Sequence, residues 1–198
     1  MTDMIRTMLD ALAVGFDLPI LDWIAANLWC PILDTLMPII TLFGDAGIFW
    51  IAVALIFLLT KKYRKTGLGM AIALILGLLV CNIWLKPLIG RIRPYDFQMT
   101  YFAREIPLLV DRMHDFSFPS GHTIASFEAA VVIFLNNKKL GIPALILAVL
   151  ISFSRLYLYV HYPTDVIFSA VLGTVFAFLG NWLATVLLKK LPAKKANN

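Results

Sequence analysis

The sequence predicts an all-α integral membrane protein, folded as one bundle of five or six transmembrane helices, on the strength of three observations. Hydrophobic residues make up 61% and charged residues 15% of the 198, against about 45–50% and 25% in soluble globular chains. The apolar residues gather into helical runs near 47–60, 67–86, 122–136, 141–158 and 165–188, each long enough to be read as a span or a near-span. Most charges fall between these runs, and the mean hydropathy is +0.85. A chain of this length has no room for a separate soluble domain. The net charge of +5 carries less information than its placement, and nothing in the chain has the look of a nucleic-acid-binding module. Cys30 and Cys81 lie in apolar surroundings and read as buried packing residues, with no disulfide framework or metal site.

In chain order, the opening MTDMIRTMLDALAVGF carries Asp3 and Asp10. It lacks the basic start, apolar core and small-residue cleavage site of a signal peptide, so it is expected to be retained. Met4, Ile5, Met8, Leu9 and Leu12 share one helical face, which suits an interfacial helix; a frayed terminus is the alternative. Residues 18–44 are apolar but interrupted by Pro19, Asp22, Pro31, Asp34 and Pro38. They form either one kinked span or two shorter helices packed near the interface, and the second is favoured. Residues 1–46 are thus amphipathic or kinked N-terminal helices, 47–188 the core bundle of a single domain, and 189–198 a basic tail. The only long connection is 95–118.

Orientation follows from Lys and Arg. Lys61, Lys62, Arg64 and Lys65, then Lys138 and Lys139, then Lys189, Lys190, Lys194 and Lys195 alternate onto one side, and they are more than half of the 17 basic residues. The positive-inside rule puts that side in the cytoplasm. The expected setting is therefore a cell membrane, plasma or inner, with the C-terminus cytoplasmic; the side of the N-terminus stays open. Lys86, Arg91, Arg93, Arg104, Arg112 and Arg155 collect on the opposite, outer face and need another explanation.

The stretch Ser154–Asp165 supplies part of it. Arg155, His161 and Asp165 sit in an otherwise lipid-compatible run, where an ionisable group costs roughly 2.5–3.5 kcal/mol to insert and so marks a functional site by default. The topology brings three segments to one membrane face. Lys86 and Arg93 are seven residues apart, two helical turns, so both can point into one pocket. Ser120 and Gly121 stand where a helix begins, and its free N–H groups with the helix dipole form an anion site. Arg155 adds a planar fork suited to phosphate oxygens. His161 and Asp165 are four apart at a helix start marked by Pro163, so the carboxylate can hold one ring nitrogen and leave the other to attack. His122, at the mouth of the facing helix, can protonate the leaving oxygen and then activate water. No metal cluster and no cofactor is required, because three cations can stabilise the phosphoryl charge.

The pattern Lys86-x6-Arg93-Pro94, Pro119-Ser120-Gly121-His122 and Ser154-Arg155-x5-His161-x3-Asp165 resembles the three-part signature of the type 2 phosphatidic-acid phosphatase superfamily, with every fixed position matched. The resemblance covers residues 86–165 strictly and the helical layout from 47 to 188, while residues 1–46 contribute only loosely. It implies a chloroperoxidase-like helical core and a metal-independent phosphatase acting on membrane lipid phosphates or diphosphates. It further implies that His161 forms a phosphohistidine, that Asp165 orients it, and that His122 is acid and then base. Lys86, Arg93, Arg155, Ser120 and the Gly121 amide would bind phosphate. The small size and outward site resemble bacterial enzymes that convert undecaprenyl diphosphate to undecaprenyl phosphate. Phosphatidylglycerophosphate, phosphatidic acid and diacylglycerol diphosphate are alternative substrates; a lipid phosphotransferase or a non-catalytic lipid carrier are alternative activities.

Other residues read more plainly. Arg91 points away from the Lys86/Arg93 face by helical phase and is expected to meet lipid headgroups or snorkel at the interface. Glu128 is an intramembrane carboxylate with either an accessory or a packing role. Tyr95, Asp96 and Tyr101 are placed to line the entrance, and His114 to be a solvated loop residue. Trp23, Trp29, Trp50, Trp84, Tyr157, Tyr159 and Tyr162 read first as an aromatic belt. Residues 122–136 rise only about 22 Å against a hydrocarbon core near 30 Å, so the pocket is expected at or just below the headgroup plane, open sideways. Neither partner subunits nor oligomeric state can be read.

Overall fold

The computed structural model describes residues 2–190, and among these there is helix and loop but no strand. Helix α1 (Thr2–Leu12) continues through a π-helical segment, Ala13–Asp17, into α2 (Leu18–Leu28) without leaving helical geometry. Its apolar face leaves Met4, Met8 and Leu12 exposed, as an interfacial helix requires. Trp29 and Cys30 are extended, and α3 (Pro31–Leu42) opens on a proline, whose missing N–H is no loss at a first helical position. Residues 18–44 are therefore two helices. A turn in which Ala46 and Gly47 both take positive φ (48° and 67°) leads into α4 (Ile48–Leu59).

Helix α5 (Arg64–Gly77) passes into a π-helical stretch, Leu78–Leu85, and the short α6 (Lys86–Ile89), which stops at Gly90 with φ 62°. Then come α7 (Pro94–Phe102), α8 (Gly121–Asn136), α9 (Lys138–Tyr157) and α10 (Pro163–Lys190). Among the described residues four stretches are long and apolar enough to cross a membrane: Pro31–Leu59, Arg64–Phe102, Lys138–Tyr157 and Pro163–Lys190; Gly121–Asn136 is a shorter apolar helix. The Gly44–Gly47 turn divides the first of these into α3 and α4.

Helix α8 packs against α5, α9 and α10, and α4 lies on α5. Their shared core holds Trp50, Met70, Ala129, Val132, Ile151 and Ala177. Small residues let the backbones close: a Cβ at Gly180 would come within 2.6 Å of the Gly69 carbonyl, the kind of approach that substitutes for hydrophobic driving force between helices in lipid. Leu59, Ile75, Val171 and Trp182 remain exposed on the outside, which is what a lipid-facing surface looks like without its lipid.

The two ends of the bundle differ. One gathers the α4–α5 and α8–α9 turns and the end of α10, with Lys61, Lys62, Lys138, Lys139, Lys189 and Lys190 exposed; Lys194 and Lys195 lie outside the described residues. The other gathers the Gly44–Gly47 turn, the 90–120 connection and the 158–162 turn. That end has its own core, formed by Leu18, Leu21, Ile24, Tyr95, Phe97, Tyr157, Tyr159 and Tyr162 among others.

Trp23 and Trp84 are exposed, but Trp50, Tyr157, Tyr159 and Tyr162 are each about 1% exposed or less and do not form part of an aromatic belt. Trp50 donates to Ser126 Oγ at 3.0 Å, and Trp29 donates to the Tyr157 carbonyl at 3.0 Å. The hydroxyls of Tyr157 and Tyr159 donate to Asp34 (2.5 Å) and Asp22 (2.8 Å). The carboxylates that interrupt residues 18–44 are thus partners for buried phenols, a pairing that offsets the cost of burying those hydroxyls.

Candidate active site

The 158–162 turn is built around the end of α9. The N–H groups of Val160 and His161 both donate to the Arg155 carbonyl (3.1 and 3.3 Å), and Tyr159 takes φ 59°. A non-glycine residue in that region is strained and persists only where its surroundings hold it; here the Tyr159 hydroxyl is fixed by Asp22 and by the Gln98 amide at 2.9 Å. The backbone of His161 therefore hangs on Arg155, and the two side chains reach the same space.

That space is a cavity of about 680 Å³ lined at its head by Lys86, Arg93, Arg155, His161, His122 and Gly121. The residues singled out on three separate segments do converge. Lys86 and Arg93 get there differently from the two-turn expectation, because the chain leaves helical geometry at Gly90 and residues 91–93 follow outside any helix. Both cations nevertheless meet at one carboxylate, Asp115: Lys86 Nζ pairs with its Oδ2 and Arg93 Nη2 with its Oδ1 at 2.5 Å. Arg93 also donates to the Asp115 carbonyl (2.9 Å) and the Val160 carbonyl (2.8 Å), and its Nη1 lies 3.4 Å from His161 Nε2. Arg155 is fully buried and donates to Thr41 Oγ1 at 2.5 Å, while its Nε has no protein partner.

His161 Nδ1 lies 3.5 Å from Asp165 Oδ2, a contact without hydrogen-bond geometry. Burial, reinforced by Arg93, Arg155 and Lys86, lowers His161 well below its ordinary 6.5, so the ring is neutral at pH 7 with a lone pair to donate. Asp165 is buried behind it, accepting from the Tyr162 N–H at 3.2 Å and from Arg91 at 2.5 Å. His122 Nε2 is 2.7 Å from Asp45 Oδ1. Gly44 lies so close to the His122 ring that a Cβ there would come within 2.5 Å of it.

At the start of α8 the division of labour differs from expectation. The Ser120 N–H donates to Ser169 Oγ at 2.8 Å and its hydroxyl accepts from Thr123, so Ser120 stands behind the wall. Gly121 and His122 face the cavity, at a helix N-terminus whose first N–H groups have no intrahelical acceptor.

The accessory expectations need correction at two points. Arg91 does not meet headgroups: it is 3% exposed and ion-paired to Asp17 and Asp165, because the phase argument assumes a helix that ends at Gly90. Tyr95 does not line an entrance; it is buried, bonded to Met113 through its hydroxyl. Asp96 lies beside Arg112 at 3.6 Å, away from the cavity, and Tyr101 and His114 are exposed. Glu128 does line the cavity, deeper along α8, with Oε1 unpartnered. Sequence reasoning passed over Asp17, Asp45, Asn82 and Asp115. For Asp45 and Asp115 a signal existed, each being an acid in a loop that the topology brings to the cationic face.

Below its polar head the cavity continues between α4 and α5, lined by Ile51, Leu55, Leu58, Leu74, Ile75 and Leu78. Several of these are half exposed on the outer surface, so the apolar part opens sideways. Charge-binding groups at the head of an apolar slot suit one kind of molecule, a phosphate carried on a lipid, and the protein is of the membrane-embedded lipid phosphatase class. The sequence model of the PAP2 superfamily matches residues 66–188, and the chain belongs to that superfamily. It is 32% identical over 168 residues to the undecaprenyl-diphosphatase of Sulfolobus acidocaldarius, covering 84% of this chain and 77% of that one. It is 30% identical over 152 residues to the undecaprenyl-diphosphatase BcrC of Bacillus subtilis (75% and 73%), and 36% identical over 156 residues to phosphatidylglycerophosphatase B of the same organism (73% and 65%). The fold resembles a transmembrane PAP2-type phosphatidylglycerolphosphate phosphatase from Bacillus subtilis, with TM-score 0.68 and 24% identity over 98% of this chain and 95% of that one.

Proposed function

We propose that the protein hydrolyses undecaprenyl diphosphate to undecaprenyl phosphate through a phosphohistidine on His161, at the outer face of a cell membrane. The observation that carries this reading is the convergence of Lys86, Arg93 and Arg155 with two imidazoles at the head of an apolar slot. The terminal phosphate sits among the three cations and the Gly121 and His122 N–H groups. His161 Nε2 attacks phosphorus, the bond to the bridging oxygen breaks, and His122 protonates the departing lipid monophosphate. His122 then takes a proton from water, the water oxygen attacks the phosphohistidine, and inorganic phosphate leaves with His161 restored. Asp165 supports the charge that develops on the His161 ring, and Asp45 supports His122.

The two relatives named undecaprenyl-diphosphatase favour the polyprenyl substrate; the relative named phosphatidylglycerophosphatase B favours a glycerolipid as the second reading. Phosphate release by the purified protein across polyprenyl diphosphates, phosphatidylglycerophosphate and phosphatidic acid decides between them: a kcat/KM highest for a glycerolipid overturns the first. The outward placement of the site rests on the exposed lysines at the opposite end of the bundle. EDTA is expected to leave the rate unchanged, and a loss restored only by a divalent ion would contradict the role given to the three cations.

Two expectations arise from the charges of the site. Asp115 occupies Lys86 and Arg93, the cations a phosphate needs. Asp115→Asn is therefore expected to strengthen inhibition by vanadate about two- to fivefold, the range for a half-exposed ion pair worth under about 1 kcal/mol. Weaker inhibition would show instead that Asp115 holds the cations in place. The second concerns pH. Burial raises the Asp115 carboxyl, but the hydrogen bonds and charges of Lys86 and Arg93 outweigh it and bring it to about 2. Its ion pairs are thus complete above about pH 4 and lost only as pH falls through about 2. His161, lowered from 6.5, gains its proton only below that value. The acid limb of kcat/KM is accordingly expected below pH 6.5, and a limb at or above it would mean that His161 is not the neutral nucleophile.

A further inference from the structure

Arg91 is the buried cation at this end of the bundle that does not line the cavity. Its guanidinium is held between two carboxylates, 2.5 Å from Asp165 Oδ1 and 2.7 Å from Asp17 Oδ2, and stacks on Tyr162 at 3.7 Å from the ring centroid. It also donates to Thr164 Oγ1 (2.9 Å) and to the Leu9 carbonyl (3.2 Å). Asp17 is fully buried and accepts, besides Arg91, the Thr164 N–H at 2.9 Å and the Thr164 hydroxyl at 2.7 Å. It thus ties together the strap after Gly90 and the first turn of α10, the turn that carries Asp165. Asp17 is delivered by the π-helical segment Ala13–Asp17, a distortion that proteins often place at functional positions. It lies outside residues 66–188, where the family match falls.

We infer that Asp17, from the N-terminal helix, is a positioning residue for the His161–Asp165 pair, acting through Arg91 and Thr164. Its charge matters as well as its hydrogen bonds. Two carboxylates around one guanidinium leave a surplus negative charge in a buried cluster, and the oxygen of that cluster nearest the reaction is Asp165 Oδ2, facing His161 Nδ1. As Nε2 forms its bond to phosphorus, positive charge spreads onto the ring and the surplus stabilises it. From the other side Arg93, Arg155, Lys86 and His122 face His161, with Asp115 beyond them on Arg93 and Lys86, so the carboxylate side is where compensation comes from. Without the Asp17 charge, Arg91 would neutralise Asp165 alone.

This inference rests on the reading of His161 as nucleophile, and one set of assays separates the two. In the full-length purified protein, Asp17→Asn is expected to lower kcat on the lipid diphosphate about tenfold or more, part of the 10²–10⁴ that positioned acid–base groups contribute. KM and the vanadate inhibition constant should stay within about twofold, because Lys86, Arg93 and Arg155 are untouched, and Asp17→Glu should recover part of kcat. A folded Asp17→Asn protein with kcat within about twofold of wild type overturns the inference, as does parallel loss of kcat and vanadate inhibition. Should Asp17→Asn fail to fold, Arg91→Lys, which keeps the charge but not the fork, is expected to give the same split between kcat and vanadate inhibition; an unchanged kcat there overturns it too. Failure of the nucleophile reading shows separately, as an active His161→Ala protein.

Discussion

His161→Ala is expected to lower phosphate release by at least about 10³-fold, because it removes the atom that bonds to phosphorus. No other group in the cavity can take over. His122 lies across the site and is engaged by Asp45 at 2.7 Å, and Ser120 is turned into the wall with its hydroxyl bonded to Thr123. The substitution deletes a ring that is 2% exposed and makes no hydrogen bond through Nδ1, so the fold loses packing but leaves few buried polar groups newly unpaired. Rates are to be compared on protein that elutes as a single species in detergent. Residual phosphate release above a few per cent of wild type would remove His161 from the chemistry.

Arg155→Lys is expected to cost about 10²-fold in kcat/KM, at the lower end of what one preorganised donor to a developing charge contributes, and to weaken vanadate inhibition in parallel. A lysine keeps the charge but replaces a planar fork with a point donor. Arg155 uses Nη1 on Thr41 and Nη2 on Met113 Sδ at 3.2 Å, while Nε has no protein partner. Its position is also fixed through its own carbonyl, which the 158–162 turn uses twice. Measuring kcat/KM beside thermal unfolding separates the two roles: a stable variant with wild-type kcat/KM would assign Arg155 to packing alone.

The core of this fold was legible because membrane helices announce themselves in composition, and the site was legible because charges in such helices need a reason. The runs at 47–60 and 165–188 became α4 and α10 with boundaries shifted by few residues, and Lys86, Arg93, His122, Arg155 and His161 met at one cavity. What could not be read was anything depending on a break in helical phase or on a partner far away in sequence. Two continuous turns of helix from Lys86 to Arg93 would turn Arg91 toward lipid, whereas Gly90 ends the helix and swings Arg91 inward. Asp22 and Asp34 looked like defects in an apolar run, yet each accepts a phenol more than a hundred positions away, Tyr159 and Tyr157. Asp17 has the same character: an acid in an N-terminal segment has no local pattern to say which buried group it will meet.

The most direct test is rapid quenching of the purified protein with undecaprenyl diphosphate labelled in its terminal phosphate. The mechanism requires a protein-bound phosphate that is stable in alkali, labile in acid, carried by the peptide containing His161, and discharged as inorganic phosphate at the rate of turnover. Turnover without label on the protein at any time, or label that maps to another residue, would contradict it.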